Sequence, residues 1–210
     1  LISIGTTLEV YYDFPVEVFK QLALKYTIEK VFVNHDYEPY AKERDQLIQA
    51  QISVTGSTFH SFKDQVIFEK NEVLKDDGNP YTVFTPYSKK WKSRLTNADL
   101  PIYPTENCFG NFYNQSVFNI PTLASMGFSA HQQVFPTKSI QKNIIKNYHE
   151  FRDIPSADGT SKLSVHLRFG TISIRELARC AMTLSAPFLN ELIWRDFYYM
   201  ILWHFPKVGV

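Results

Sequence analysis

Residues 187–204 read PFLNELIWRDFYYMILWH. Pro187 stands where a helix tolerates proline, because an N–H in the first turn has no partner to lose. Leu189, Leu192, Ile193, Phe197 and Ile201 then recur every three or four residues, the spacing of one buried helix face. Glu191, Trp194, Arg195 and Tyr198 fall on a different stripe, which sets a carboxylate, an indole, a guanidinium and a phenol side by side. Spacing alone supports a core helix with an i,i+4 Glu191–Arg195 pair, worth roughly a few tenths of a kcal/mol.

Upstream lies DGTSKLSVHLRFGTISIREL, residues 158–177. Its Gly159, Thr160, Ser161 and Ser164 place a glycine and three hydroxyls at an expected helix start. Uncapped N–H groups and the positive dipole end there suit an anion, and the same residues also serve as an N-cap with nothing bound. Ser173 and Glu176 have capping-box spacing before Leu177, Ala178 and Ala181, a structural feature. Further upstream, Ile140, Ile144, Ile145, Tyr148 and Phe151 form an apolar stripe that Pro155, Asp158 and Gly159 interrupt. Residues 138–210 are therefore expected to be all helical.

The first half has a different grammar. Helical spacing over 15–26, a β-branched and aromatic run over 28–35, and a second helix over 40–51 alternate, with short strand candidates at 59–63 and 65–69. Alternation of this kind favours a parallel sheet, and the strands are enough for part of a doubly wound domain. A turn signal at Gly78-Asn79-Pro80 precedes an expected strand over 81–85 and a helix over 86–95. Lys89, Lys90, Lys92 and Arg94 in that helix read as a solvated face. Residues 96–137, rich in proline and poor in periodicity, read as a long connection. The expected organisation is an α/β unit over 1–95, a linker over 96–137 with the helical boundary near 128–137, and a helical unit over 138–210. The opening LISIGTTLEV has no initiator methionine and is expected to continue an earlier pattern.

Composition bounds the function classes. The 210 residues include 17 Phe, 12 Tyr and 3 Trp, enough aromatic surface for a large core. Arg195, Asp196 and His204 break the longest apolar stretches, well short of a membrane span. Cys108 and Cys180 have no CxxC spacing and read as reduced thiols of a cytoplasmic protein. The net charge of +1 divides unevenly. Residues 138–210 hold ten Lys/Arg against six Asp/Glu, an excess that fits a surface facing phosphates. Six scattered histidines, no HExxH and no Gly-x-Ser-x-Gly elbow leave metal hydrolysis and serine-nucleophile chemistry without support.

Four segments in this order, YHEFRDIP (148–155), GTSKLS (159–164), LRFGTIS with Arg175, and NELIWRDFYY (190–199), resemble the DNA photolyase/cryptochrome family, on its class I-like side. The resemblance implies a partial Rossmann-like antenna domain, a long linker and the first helices of a helical FAD-binding domain, with the chain truncated at both ends. It assigns Tyr148, Thr160, Ser161, Lys162, Leu163 and Ser164 to the flavin, and Arg152 to DNA phosphates. Asn190, Glu191, Leu192, Ile193, Trp194, Arg195, Asp196 and Phe197 fall in the segment that faces flavin and DNA. Glu191 is expected to hydrogen-bond a flipped-out pyrimidine dimer and Trp194 to stack on it, since a base must leave the duplex to be acted on. Arg195 is expected to meet phosphate charge.

The implied reaction is light-driven splitting of cyclobutane pyrimidine dimers by an electron from reduced FAD, with UV-damaged DNA as partner and a monomer as the working form. A cryptochrome, a light receptor with the same flavin site and no repair, is the alternative; Glu191 and Trp194 match the repair version. NHDYEPYAKERD (34–45) resembles the edge of the antenna domain. Tyr40 and Ala41 replace the asparagine and glutamate of the folate-binding version, which points to another antenna chromophore or none. The later flavin contacts and relay tryptophans of the family fall outside this sequence, so these 210 residues alone are expected to hold flavin weakly and to be inactive.

Overall fold

The computed structural model describes residues 1–129 and 134–209. Two strands, β1 (Lys30–Asn34) and β2 (Thr58–Phe62), pair in parallel with Lys30 opposite Thr58 and Asn34 opposite Phe62. Parallel neighbours need a crossover. Here it is helix α2 (Pro39–Ser53), which buries Ala41, Ile48 and Ile52, with α1 (Pro15–Lys25) packed against it. Among the described residues the sheet has these two strands only.

The expected strand at 65–69 does not form. Its backbone finds a carboxylate rather than a neighbouring strand: the N–H groups of Ile67 and Phe68 donate to Asp196 at 3.2 and 3.1 Å. This capture draws Val66, Ile67 and Phe68 into the core, all at most 2% exposed. Residues 81–83 are also irregular, and α3 runs from Phe84 to Arg94, two residues ahead of the sequence expectation. Tyr87 and Trp91 on α3 have no exposed surface and pack toward the C-terminal helices. The helix read as part of the α/β half therefore sits on the helical half, because its apolar face has more to bury there.

The helical half is shorter-jointed than its sequence suggests. The stripe from Ile140 to Phe151 divides into α4 (Lys142–Lys146) and α5 (Tyr148–Phe151), and only Ile145 of the stripe is fully buried. The five-residue α6 (Ser164–Arg168) follows, then α7 (Ile174–Leu184) and the 19-residue α8 (Ala186–His204). Ser173 caps α7 by accepting the Glu176 N–H, and Ser185 caps α8 by accepting the Phe188 N–H. Leu177, Ala178 and Ala181 of α7 meet Phe188, Leu192, Ile193 and Phe197 of α8 in one core that also takes in Tyr87, Trp91 and Ile145.

Between the halves, residues 96–129 form no α-helix or strand; they hold 3-10 turns at Asn97–Asp99 and Thr105–Asn111 and a hydrogen-bonded turn at 123–127. Residues 130–133 of the expected linker and boundary lie outside the described residues. Arg179 fixes the start of this connection by donating to the Leu100 carbonyl at 2.7 Å. No described helix is long and apolar enough to cross a membrane.

Candidate functional site

A cleft of about 850 Å³ opens between the loop before α6, α5 and the first turns of α8. Its wall contains Tyr148, Thr160, Ser161, Lys162, Leu163 and Ser164, so the structure brings together all six residues assigned to a flavin. Leu163, 1% exposed, anchors this loop in the core. Lys162 before it has φ +54°, a left-handed conformation uncommon for a residue with a Cβ. Its ammonium pairs with Asp158 in solvent, a contact worth little, so its backbone turn is what shapes the wall. Gly159 enters the loop against Phe151, where an added Cβ would stand 2.5 Å from the Phe151 carbonyl oxygen.

The helix behind this loop differs from the expectation. With five residues, α6 has little macrodipole, and no side chain caps it. The polar character of the wall rests on the hydroxyls of Thr160, Ser161 and Ser164, which have no hydrogen-bond partner among the described residues. Leu167, Phe188 and Leu192 supply an apolar side, and Arg195 a cationic one. Hydroxyls beside a guanidinium and an apolar shelf match an elongated ligand with a phosphate and a flat ring system, and the volume lies in the usual range for cofactor sites. The donor set thus fits FAD. His166 steadies the facing edge: it is buried, with Nε2 2.8 Å from the Pro136 carbonyl and Nδ1 2.7 Å from Thr171 Oγ1.

Glu191 lines this cleft and also a neighbouring hollow of about 330 Å³ that holds Phe84, Arg152, Asn190 and Trp194. The Glu191 carboxylate accepts from Arg152 Nη1 at 2.7 Å, so its partner is Arg152 and not the i,i+4 Arg195. Burial, then the Glu191 charge, raises the pKa of the Tyr148 phenol, over which the Arg152 guanidinium sits at 5.6 Å. Trp194 already has two stacked neighbours. Phe84 lies against it at 3.6 Å and 5° from parallel, and Tyr198 stacks at 5.5 Å and 22°. Asn190 accepts from Lys92 of α3 at 2.7 Å, so this one lysine of the basic run reaches a residue of the hollow, while Lys90 pairs with Asp76 elsewhere.

Other residues of the 190–197 segment go elsewhere. Leu192, Ile193 and Phe197 are at most 5% exposed and belong to the core, so their side chains are not available to DNA. Arg195 donates to the carbonyls of Gln65 and Leu167 and lies 4.7 Å over the Tyr199 ring; two of its donors are thus spent on the chain itself. Asp196 is fully buried and accepts from Ile67 N–H, Phe68 N–H and Trp91 Nε1 at 2.9 Å. Burial raises its pKa to about 6 against the pull of those donors. Its assignment to DNA contact is corrected to a structural role. Sequence reading missed Phe84, whose place on Trp194 depends on a contact 110 positions apart and has no local signal.

The family model described as DNA photolyase matches residues 1–105. The deoxyribodipyrimidine photo-lyase of Halobacterium salinarum is 28% identical, over 96% of this chain and 47% of its own length. An archaeal photolyase from Sulfolobus tokodaii, solved with two FAD molecules, superposes with a TM-score of 0.67 at 21% identity, over 99% of this chain and 46% of its own. A Synechocystis sp. PCC6803 cryptochrome does so with a TM-score of 0.69 at 15% identity, over 96% and 47%. At those identities the two structures bear on the fold. The chain spans about half the length of the relatives it matches.

Proposed function

The chain belongs to the DNA photolyase family, and from that premise we propose that the protein carrying it repairs cyclobutane pyrimidine dimers in DNA using FAD and light. The carrying observation is that one cleft gathers Tyr148 and the 160–164 loop, and that Glu191 joins it to the hollow of Trp194 and Arg152. Reduced FAD, when bound, supplies the photoexcited electron; the hard chemistry belongs to the cofactor and positioning to the protein. Thr160, Ser161 and Ser164 hold the phosphates by their hydroxyls, and the apolar shelf of Phe188 and Leu192 excludes water from the ring system.

On the DNA side, Arg152 meets a phosphate and releases Glu191, whose carboxylate then accepts a hydrogen bond from a pyrimidine N–H. Trp194 provides the stacking surface for the extruded bases, and Phe84 or Tyr198 yields its place on that ring. Asn190 and Lys92 form the rim. The antenna position at Tyr40 and Ala41 favours a chromophore other than folate, or none. A monomer working on UV-damaged DNA in the cytoplasm is the form we infer.

A light receptor without repair is the second reading. It is favoured by the closed state of the lesion contacts, with Glu191 tied to Arg152 and Trp194 covered by Phe84. Glu191→Ala and Trp194→Ala separate the two. For a repair enzyme, each variant keeps its flavin; Trp194→Ala binds a thymine-dimer oligonucleotide about 5- to 150-fold more weakly, the range of one lost base-stacking contact, and Glu191→Ala about 10- to 150-fold more weakly, the range of one lost hydrogen bond to a charged group. Unchanged dimer affinity in both variants supports the receptor, and loss of flavin from either shows that these residues serve the cofactor cleft.

A further inference from the structure

A polar network at the carboxyl ends of β1 and β2 takes no part in the flavin or DNA reading. Glu69 Oε2 lies 2.8 Å from His35 Nδ1, and His35 Nε2 lies 3.0 Å from Ser61 Oγ. The parallel register creates the meeting: His35 follows β1 directly, Ser61 stands on β2, and the His35 N–H donates to the Phe62 carbonyl at 2.8 Å. Glu69 is held from behind by the hydroxyl of Tyr37, a residue 1% exposed.

Burial acts to raise the Glu69 pKa, but hydrogen bonds from Tyr37 and His35 outweigh it and leave the group below its ordinary value. An ionised carboxylate only accepts, so it selects the Nδ1–H tautomer and leaves Nε2 bare toward the Ser61 hydroxyl. Lys70 Nζ, 3.3 Å from Nδ1, would favour the opposite tautomer. The Glu69 contact is shorter and charge-assisted, and it prevails.

Lys70 carries a second signal. With φ +49° it is, with Lys162 of the flavin cleft, one of two non-glycine residues with positive φ among the described residues. Held strain of this kind clusters at working sites. Lys70 and Lys42 line a hollow of about 230 Å³ with His35, Ser61 and Trp203, and the carboxylates of Asp36 and Asp45 balance the two lysines there. The Lys42 and Lys70 ammoniums lie 4.4 and 5.0 Å from the centre of the Trp203 ring. With Phe59 and Trp203 in its walls, the hollow accepts a small flat aromatic group.

We propose that Ser61, His35 and Glu69 form a nucleophilic triad that hydrolyses small aryl esters. Ser61 Oγ attacks the ester carbonyl carbon while its proton passes to His35 Nε2. The bond to the aryl oxygen breaks, and His35 returns that proton to the departing phenolate. Water, deprotonated by His35, then cleaves the acyl–Ser61 ester and regenerates the hydroxyl, so ester and water become acid and phenol with no redox change. Glu69 orients the imidazole and stabilises its cation. The sequence has no nucleophile elbow because such triads are defined by geometry and not by chain order. This hollow shares no lining residue with the flavin cleft, so the two readings fail independently.

The test is labelling with a fluorophosphonate, read by intact mass and peptide mapping, on the unmodified protein and on Ser61→Ala and His35→Gln. One adduct per chain on Ser61 is expected, absent from Ser61→Ala and formed at least about 100-fold more slowly in His35→Gln, the usual worth of a general base. A matching urea midpoint shows that Ser61→Ala is folded. No adduct on the unmodified protein, an adduct on another residue, or an undiminished rate in His35→Gln overturns the proposal.

Discussion

Asp196 shows how burial sets the meaning of a residue. In the sequence it stands inside the segment that faces DNA, between Arg195 and Phe197, and nothing local separates it from them. In the structure it is the hub that joins α8 to Trp91 of α3 and to the backbone at 67 and 68. Its folded pKa of about 6, against 3.8, has a definite sign for stability. Between those values the folded chain binds more protons than the unfolded one, so this group's contribution is full below pH 4 and is lost as pH rises through 6. The shift corresponds to about 3 kcal/mol. Other carboxylates, Glu69 among them, act in the opposite direction. The expected outcome is therefore comparative: from pH 4 to pH 7, urea-determined stability falls further in the native protein than in Asp196→Asn. Parallel pH profiles in the two proteins would contradict it.

Elements are where the sequence was most and least legible. The burial of Leu189, Leu192, Ile193 and Phe197 on one face of α8 follows from their spacing, because a long helix states its period many times. The α2 crossover was legible for the same reason, and β1 and β2 from their β-branched and aromatic residues next to helical segments. The strand expected at 65–69 was not, since a short apolar run takes its backbone partners from whatever the fold supplies, here a carboxylate 128 positions away. The same limit hid the docking of α3 on α8. At the candidate site, the 159–164 loop was readable by its residues, but not the closeness of Gly159 to Phe151. Gly159→Ala forces a Cβ against backbone at 2.5 Å. It is expected to cost about 1–3 kcal/mol in thermal or urea unfolding, as overpacking does, and to lower flavin content in step. An unchanged melting temperature with full flavin would show that the loop relaxes freely.

At the scale of the molecule, charge decides how a polyanion meets this surface. The C-terminal third carries the positive excess, and Lys92 of α3 adds to it at the rim of the Trp194 hollow. Each phosphate contact releases counterions, so DNA affinity is expected to fall linearly with salt on logarithmic axes. Arg152→Ala and Lys92→Ala should each reduce that slope by about 1 and weaken binding about equally for damaged and undamaged DNA. A slope unchanged by both variants would place the DNA on another face. The mild net charge of +1 made this surface hard to read from composition, because opposite charges elsewhere cancel it.

The decisive measurement is illumination of the purified, reduced, flavin-loaded protein with blue light in the presence of a thymine-dimer oligonucleotide, following absorbance near 260 nm, about where unmodified bases absorb. Light-dependent recovery of thymine absorbance, absent in the dark, is the expected result. No recovery with flavin bound and reduced would contradict repair by this protein and leave the light-receptor reading in its place.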